Sequence, residues 1–223
     1  MSLPHHKVKV LLGLVLTLAI LRLITNRLLV LAILLSSWSV LFWPFTIAEL
    51  VLSLVAAGFF TVQNYVCLKA GLFEFRFKDV FLMPYYEPAL WAFYFLSLKR
   101  FVSGTSPERI GVDMKSVLGL IVTTMAFSFL SFDSRMLLIA TGCSTLLLFV
   151  FFHTPVDVRY AVSALTLGLI VEVFGVTTGL WSYPTSDFLG VPYWFATMWM
   201  SVGLLGRRFL LPASEWVAGH LEG

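Results

Sequence analysis

Eight apolar runs follow one another along this chain, with only short polar connections between them. Each run is about long enough to cross a hydrocarbon layer roughly 30 Å thick as a helix rising about 1.5 Å per residue. A soluble domain is about half apolar and a quarter charged, whereas this chain is 59% hydrophobic and 12% charged. The sequence therefore predicts an all-α integral membrane protein and excludes an open sheet or a cytosolic Rossmann-type enzyme. The expected spans are 8–24, 28–44, 47–69, 87–102, 116–132, 136–152, 158–179 and 194–211.

Basic residues cluster at the ends of the apolar runs, which indicates membrane topology rather than a nucleic-acid surface. Several runs are short, so seven or nine spans remain open beside eight. With eight spans the termini share a side, and nine Lys and Arg fall on that side against five on the other. Because cytoplasmic loops are enriched in basic residues, both termini are expected in the cytoplasm, with the protein in the inner membrane. The nine residues are Lys7, Lys9, Lys99, Arg100, Arg109, Lys115, Arg159, Arg207 and Arg208.

The sequence is similar to itself when two copies are aligned so that position 71 of one falls on position 179 of the other. We call this offset the repeat shift. Across positions 71–101 it needs no gap and gives nine identities in 31 positions. The sequence therefore predicts two parallel four-helix tandem repeats, an N-terminal repeat over 1–108 and a C-terminal repeat over 109–223. An even number of spans per repeat gives both the same orientation, so the symmetry axis is expected along the membrane normal and a site between the repeats. The identical pairs include Asp79 with Asp187, Pro84 with Pro192, Trp91 with Trp199 and Arg100 with Arg208.

Glu172 lies well inside the seventh expected span, where a carboxylate is costly unless it is paired or protonated. It is therefore a candidate functional residue, although a hydrogen bond to a neighbouring helix would also account for it. Gly168, Gly175 and Gly179 share its helical face, which lets a helix or a ligand approach. The repeat places Asn64 at the equivalent position. An acid beside an amide in a low dielectric is a candidate proton donor, while Asn64 alone also suits a helix-packing hydrogen bond.

Aromatic residues follow both long spans in the connections 71–86 and 180–193. At a membrane boundary this is ordinary belt placement, but their repetition beside Glu172 and Asn64 also predicts the wall of a cavity for a long apolar ligand. Glu87 ends the first of these segments, either as an interfacial acid or as part of the site. The predicted catalytic residues are Glu172, Asn64 and Glu87. The predicted ligand-binding residues are Gly168, Gly175, Gly179, Trp181, Tyr183, Trp199, Phe73 and Trp91.

The sequence offers little support for metal or disulfide chemistry. Cys67 and Cys143 lie inside apolar runs without a CxxC spacing, so neither a disulfide framework nor zinc is expected. His153 and Asp157 share a tight turn, but two ligands without a third are weak support for a metal, and helix capping accounts for the acid. Its counterpart Glu49 is expected near the headgroups. No nucleotide motif is visible, so no cofactor is expected.

The second half of the chain contains the segments Glu172-Val173-Phe174-Gly175, Thr178-Gly179-Leu180-Trp181-Ser182-Tyr183, Gly190-Val191-Pro192 and Trp199. Together they resemble the Glu–Gly–Thr-Gly–Tyr–Val-Pro–Trp pattern of the membrane carotenoid-hydratase family. Segment Pro84-Tyr85-Tyr86-Glu87 is similar to the Pro-x-Glu-Glu segment of fused, heterodimer-type lycopene cyclases, which are themselves tandem repeats. Pro88 stands where that motif has its second Glu, and Phe195 is the counterpart of Glu87. These departures favour a hydratase-like or uncharacterised relative over cyclisation by paired acidic motifs.

The resemblance implies cofactor-free, acid-catalysed hydration or cyclisation of an isoprenoid double bond. Glu172 would protonate the alkene in a dry pocket, and aromatic faces would stabilise the carbocation. Two other classes remain open, namely a non-catalytic membrane subunit that binds lipid or pigment or packs in a larger complex, and a small transporter. The expected partners are a membrane lipid or isoprenoid ligand and either another membrane protein or further copies of this chain, with no nucleic acid.

Overall fold

A computed structural model describes residues 4–104 and 110–222, and within these ranges the protein is all-α apart from one short two-stranded sheet. Every expected span coincides with a helix. The last span extends beyond its expected end, because α8 continues through a π-helical stretch, Gly206–Leu210, into α9. The helices are α1 His5–Leu23, α2 Arg27–Phe42, α3 Ile47–Lys69, α4 Glu87–Val102, α5 Met114–Leu130, α6 Ser134–Phe151, α7 Pro155–Thr177, α8 Trp194–Leu205 and α9 Leu211–Glu222.

The surface of this helical bundle is suited to lipid. Helices α3, α6 and α7 are long and apolar enough to cross a membrane, and α2 and α5 are shorter apolar helices. Large apolar side chains face outward, such as Leu54 at 75% exposed and Val150 at 70% exposed. A soluble monomer rarely exposes apolar patches on this scale, whereas a bilayer solvates them. The chain is therefore a polytopic membrane protein.

The two longest helices begin in the same way. Thr46 caps α3 in a capping box with Glu49, and Thr154 caps α7 in a capping box with Asp157. In each box, side-chain oxygens accept hydrogen bonds from backbone N–H groups at the start of the helix, which have no carbonyl partner within the helix. The repeat shift superposes both the start and the end of α3 on those of α7.

The connections after α3 and α7 pair with each other through two short strands. Strand β1, Glu74–Phe75, runs antiparallel to β2, Trp181–Ser182. Before each strand a glycine turns the chain, Gly71 at φ +74° and Gly179 at φ +69°. In this left-handed region glycine avoids the steric penalty of a Cβ atom. The sheet therefore joins the two halves of the chain at one end of the bundle.

A buried ion cluster lies at the opposite end of α3 and α4. Glu49 is 1% exposed, and its two carboxylate oxygens lie 3.0 Å from Lys99 Nζ and 2.6 Å from Arg100 Nη2. Glu49 is thus enclosed by cations rather than left as an isolated interfacial acid. The carboxylate compensates charges that would otherwise be buried without a counterion.

A second buried ion cluster occupies the equivalent place in the other half. Asp157 is fully buried and pairs with Arg207 and with Arg208, whose Nη2 lies 2.6 Å from Asp157 Oδ2. The repeat shift places each member of the first cluster on a member of the second. Both clusters link the start of a long helix to the end of the helix that packs on it.

The helix contacts enclose a shared interior. Helix α3 packs on α4, and α7 packs on α8, while α4 also contacts α7, and α5 contacts both α3 and α8. Within the described residues, the two halves of the chain therefore meet where α4 packs on α7 and where α3 packs on α5 and α9. The boundary expected between residues 108 and 109 lies outside the described residues, as does Arg109.

The orientation of the chain stays a prediction that reporter fusions can check. We expect fusions to either end to report the cytoplasm, because eight crossings return the chain to its starting side and basic residues favour that side. Periplasmic signals from both ends would reverse the predicted orientation. Signals from opposite compartments would mean that one short helix does not cross.

Candidate functional site

A partly open cleft lies between α3 and α4 on one side and α5, α7 and α8 on the other. Most of its wall is aliphatic and aromatic. Only a minority of the lining side chains carry polar atoms, and two of these side chains are acids. The lining residues with polar or ionisable atoms outside the Trp rings are Gln63, Asn64, Cys67, Glu87, Tyr94, Thr123, Thr124, Glu172 and Tyr183.

Glu172 reaches the cleft from α7, five residues before that helix ends. Its Oε2 atom accepts two hydrogen bonds, from Trp181 Nε1 at 2.8 Å and from the Tyr183 hydroxyl at 2.6 Å. Both donors belong to the connection after α7, which the β1–β2 sheet holds in place. Among the described residues no group donates to Oε1, so this atom is available to a bound molecule.

Tyr183 lies between α7 and α8, outside the helices. Burial raises the pKa of its hydroxyl well above the usual value, and the nearby Glu172 carboxyl raises it further. A phenol with a raised pKa remains protonated at neutral pH. Tyr183 is therefore a permanent hydrogen-bond donor to Glu172.

Glu87, the first residue of α4, is the second acid of the cleft and is 6% exposed. Its Oε1 atom accepts a hydrogen bond from Asn64 Nδ2 of α3 at 3.0 Å. Glu172 lies close enough to interact electrostatically with Glu87. We call Glu87 and Glu172 the acid pair. Each half of the chain supplies one member, and Asn64 holds Glu87 rather than Glu172.

Three aromatic rings are stacked in the cleft wall. The Phe60 and Trp91 ring centroids are 4.0 Å apart with planes at 9°, and those of Trp91 and Trp199 are 5.5 Å apart at 15°. Tyr94 packs edge-on against both indoles. Trp91 lies between the other two rings of this stack, so its faces are covered by Phe60 and Trp199. The stack gives the cleft an apolar aromatic wall.

Four aromatic side chains cover the end of the cleft beside the β1–β2 sheet. Phe75 meets Trp181 edge-on at 5.8 Å, and Phe73 lies 5.9 Å from Tyr183, measured between ring centroids. All four residues line the cleft. The strand pairing that joins the two connections therefore also positions the aromatic cover above the acid pair.

The three glycines on the face of Glu172 are not among the lining residues. Gly168 packs under the Trp199 ring and Gly175 under the Trp181 ring, so closely that a Cβ atom at either position would collide with the indole. Gly179 ends the helix with positive φ, and nothing would meet its Cβ within 4 Å. The small face predicted for a ligand instead receives two tryptophan side chains that themselves line the cleft.

The structure brings together eight of the eleven predicted site residues: Glu172, Asn64, Glu87, Trp181, Tyr183, Trp199, Phe73 and Trp91. Sequence reasoning did not single out Phe60, Gln63, Tyr94 or Thr124. Phe60 lies one helical turn before Asn64, so helical periodicity provided a signal for it. No local pattern indicates which face of α5 carries Thr124 inward. Within the described residues, no group of three or more His, Cys, Asp or Glu is arranged to hold a metal ion.

The fold and the cleft define a class, namely polytopic all-α membrane proteins with an internal, aromatic-lined cleft that contains acids. No family model matches the chain, and no curated protein matches it. Its fold is similar to the 1.9 Å crystal structure of MvINS, a mycobacterial Insig homologue from Mycobacterium vanbaalenii, with a TM-score of 0.64 and 18% identity over 77% of this chain and 94% of that one. A cross-linked trimer of a cysteine variant of MvINS gives the same values. At this identity the similarity shows a shared fold.

Proposed function

We propose that the protein binds a long, apolar isoprenoid or carotenoid-like molecule in the cleft and protonates one of its double bonds. The observation that carries this proposal is the acid pair, Glu87 and Glu172, in a cleft whose other walls are mainly apolar. A polar solute would lose its hydration there without adequate replacement. An extended hydrocarbon instead gains contact with the aromatic stack.

The environments of the two acids favour different roles. Burying two carboxylates that repel each other at bilayer depth is very costly, so the acid pair retains a proton. Glu172 accepts bonds from Trp181 and Tyr183, which favour its anionic form. Glu87 accepts a hydrogen bond of normal geometry from the Asn64 amide, while the nearby Trp91 N–H interacts with it without forming such a bond. Glu87 is thus the proposed proton donor, and Glu172 the negative charge beside the developing cation. This assignment differs from the sequence-based expectation that Glu172 donates the proton.

The reaction then proceeds without a cofactor. Glu87 transfers its proton to one carbon of the double bond, and the positive charge develops on the more substituted carbon. The Glu172 carboxylate and the aromatic side chains that line the cleft stabilise that charge. Addition of water followed by proton loss to Glu172 gives an alcohol. Attack by a second double bond of the same molecule closes a ring before a proton is lost to Glu172, and proton loss without either step gives a shifted alkene.

We further propose that the chain is a tandem duplication of two parallel four-helix repeats. The support comes from features of different kinds that all coincide under the repeat shift: the bounds of α3 and α7, their capping boxes, the two ion clusters and the left-handed glycines. The acid pair breaks this symmetry, because Glu87 and Glu172 are not equivalent positions. Such asymmetry suits a site that binds one end of one molecule.

The binding part of the proposal is testable by identifying what co-purifies with the protein. We expect mass spectrometry of gently extracted wild-type protein to find an isoprenoid in stoichiometric amount. Val171→Trp should remove it, because Val171 is 3% exposed and lines the cleft. The matched control is Val162→Trp on the same helix, since Val162 is 54% exposed to lipid. Equal ligand content in both variants would place the ligand outside the cleft.

A non-catalytic subunit that binds lipid or pigment is the second candidate. The observation in its favour is that each acid already has a structural partner, Asn64 for Glu87 and Trp181 with Tyr183 for Glu172. Under this alternative the bound molecule would be recovered unchanged. Assembly with a partner would also survive Glu172→Gln.

A further inference from the structure

The cleft is partly open, and the helices that line it differ in exposure. Its lining residues from α4 are all buried, and those from α8 are buried except Met198. Most lining residues from α3 and α5 are half-buried, as is Glu172 of α7. We take the flank formed by α3 and α5 as the mouth of the cleft, and in a polytopic protein this flank contacts the bilayer. Its half-buried lining residues are Phe59, Gln63 and Asn64 of α3 and Leu120, Thr123 and Thr124 of α5.

Two polar side chains of this mouth lie at similar distances from the ends of their helices. Gln63 lies six residues before the end of α3, and Thr124 lies six residues before the end of α5. At about 1.5 Å per residue, both are about 9 Å from the end of their helix. Both also line the same cleft. Both side chains are therefore available to a molecule bound in this part of the cleft.

Neither side chain has an adequate hydrogen-bond partner among the described residues. Gln63 Nε2 meets only the Cys67 sulfur at 3.7 Å, which is a weak acceptor. The Thr124 hydroxyl makes no hydrogen bond there, although the adjoining Thr123 is bonded to Ser144 at 2.6 Å. A helical threonine commonly bonds to a carbonyl one turn back. Unsatisfied polar groups at bilayer depth are costly, so these two indicate a missing polar ligand atom.

We infer that Gln63 and Thr124 form a polar subsite that holds one hydroxyl oxygen at the mouth of the cleft. Both side chains can donate and accept hydrogen bonds, which matches a group that does the same. Gln63 directly precedes Asn64, the partner of Glu87, so the subsite adjoins the acid pair along α3. This inference rests on the proposed function and specifies its ligand chemistry. The oxygen belongs either to a hydroxyl group on the isoprenoid or to the water that captures the cation.

The ligand arm of the test compares geranylgeraniol with the matching hydrocarbon that lacks its hydroxyl group. Binding is followed by quenching of tryptophan fluorescence, since four tryptophans line the cleft. If the oxygen belongs to the ligand, we expect the wild type to bind the alcohol about tenfold more tightly, as one satisfied hydrogen bond allows. Gln63→Leu and Thr124→Val should each remove this preference. Thr166→Val is the matched control, because Thr166 is an exposed threonine of α7.

The water arm applies if the two probes bind equally well to the wild type. Products formed in oxygen-18 water should then contain the label, and Gln63→Leu with Thr124→Val should shift them from alcohol to ring or shifted alkene. Equal binding together with an unchanged product ratio in the variants would overturn the subsite alone. Failure of both probes to bind in the cleft would overturn the proposed function, and the subsite with it.

Discussion

Replacing Glu49 with Gln is expected to prevent folded protein from accumulating in the membrane. The substitution removes the negative charge shared by Lys99 and Arg100, which are both buried. Breaking a buried ion pair by removing one partner costs about 3–5 kcal/mol, which is a large part of the stability of a typical protein. The measurement is the yield and thermal unfolding of detergent-extracted protein, followed by size-exclusion chromatography with a fluorescent tag.

The equivalent substitution in the second ion cluster, Asp157→Asn, is expected to have the same effect. The control is Glu74→Gln, because the pair between Glu74 and Lys78 is exposed and such pairs contribute at most about 1 kcal/mol. A monodisperse Glu49→Gln protein at wild-type yield and melting temperature would show that this cluster does not stabilise the fold.

Glu172→Gln is expected to lower conversion of an acyclic carotenoid such as lycopene by at least about a thousandfold, within the range that a positioned acid or base provides. The amide oxygen can still accept the bonds from Trp181 and Tyr183, so shape and binding should persist. The variant loses the negative charge beside the cation and the group that accepts a proton afterwards. Conversion is measured in membranes by chromatography and mass spectrometry of the extracted carotenoids.

Asn64→Asp serves as the comparison for that experiment and should reduce conversion less, because an aspartic acid can still hydrogen-bond to Glu87. A wild-type rate in Glu172→Gln would remove Glu172 from the reaction. Absence of conversion in the wild type, with ligand bound and assembly intact in both proteins, would favour the non-catalytic subunit.

The helices were predictable from the sequence because lipid requires backbone hydrogen bonds to be satisfied within each apolar run. At the start of α7 the apolar run and the helix differ. The expected span began at residue 158, whereas the helix begins three residues earlier at Pro155, because the polar box of Thr154 and Asp157 precedes the apolar run. The capping role expected for Asp157 is the one that the structure shows. The continuation of the last span to Glu222 also went unpredicted, since its polar residues do not extend the apolar run.

The ion clusters were not predictable from local sequence, because their partners lie about 50 residues apart. At helix ends, basic residues resemble ordinary topology signals. Four of the nine used for the predicted orientation instead belong to the clusters: Lys99, Arg100, Arg207 and Arg208. Their buried acidic partners account for part of the charge bias independently of topology.

The candidate site was partly predictable, since an acid within an apolar span carries a cost that demands an explanation. Glu172 and the repeated aromatic residues followed from that argument. The bond between Asn64 and Glu87 and the packing of Gly168 under Trp199 depend on how α3 meets α4 and α7 meets α8. Such contacts require the tertiary structure. The similarity to MvINS shows the fold alone, so the function is argued from the cleft.

The most direct test of the central claim is to incubate purified protein with an acyclic carotenoid in deuterium oxide and to analyse the product by mass spectrometry and NMR. If the acid pair protonates a double bond, the product carries one carbon-bound deuterium at each reacted end, and Glu172→Gln gives none. Wild-type protein that holds the carotenoid in its cleft but returns it without carbon-bound deuterium would contradict the proposed reaction.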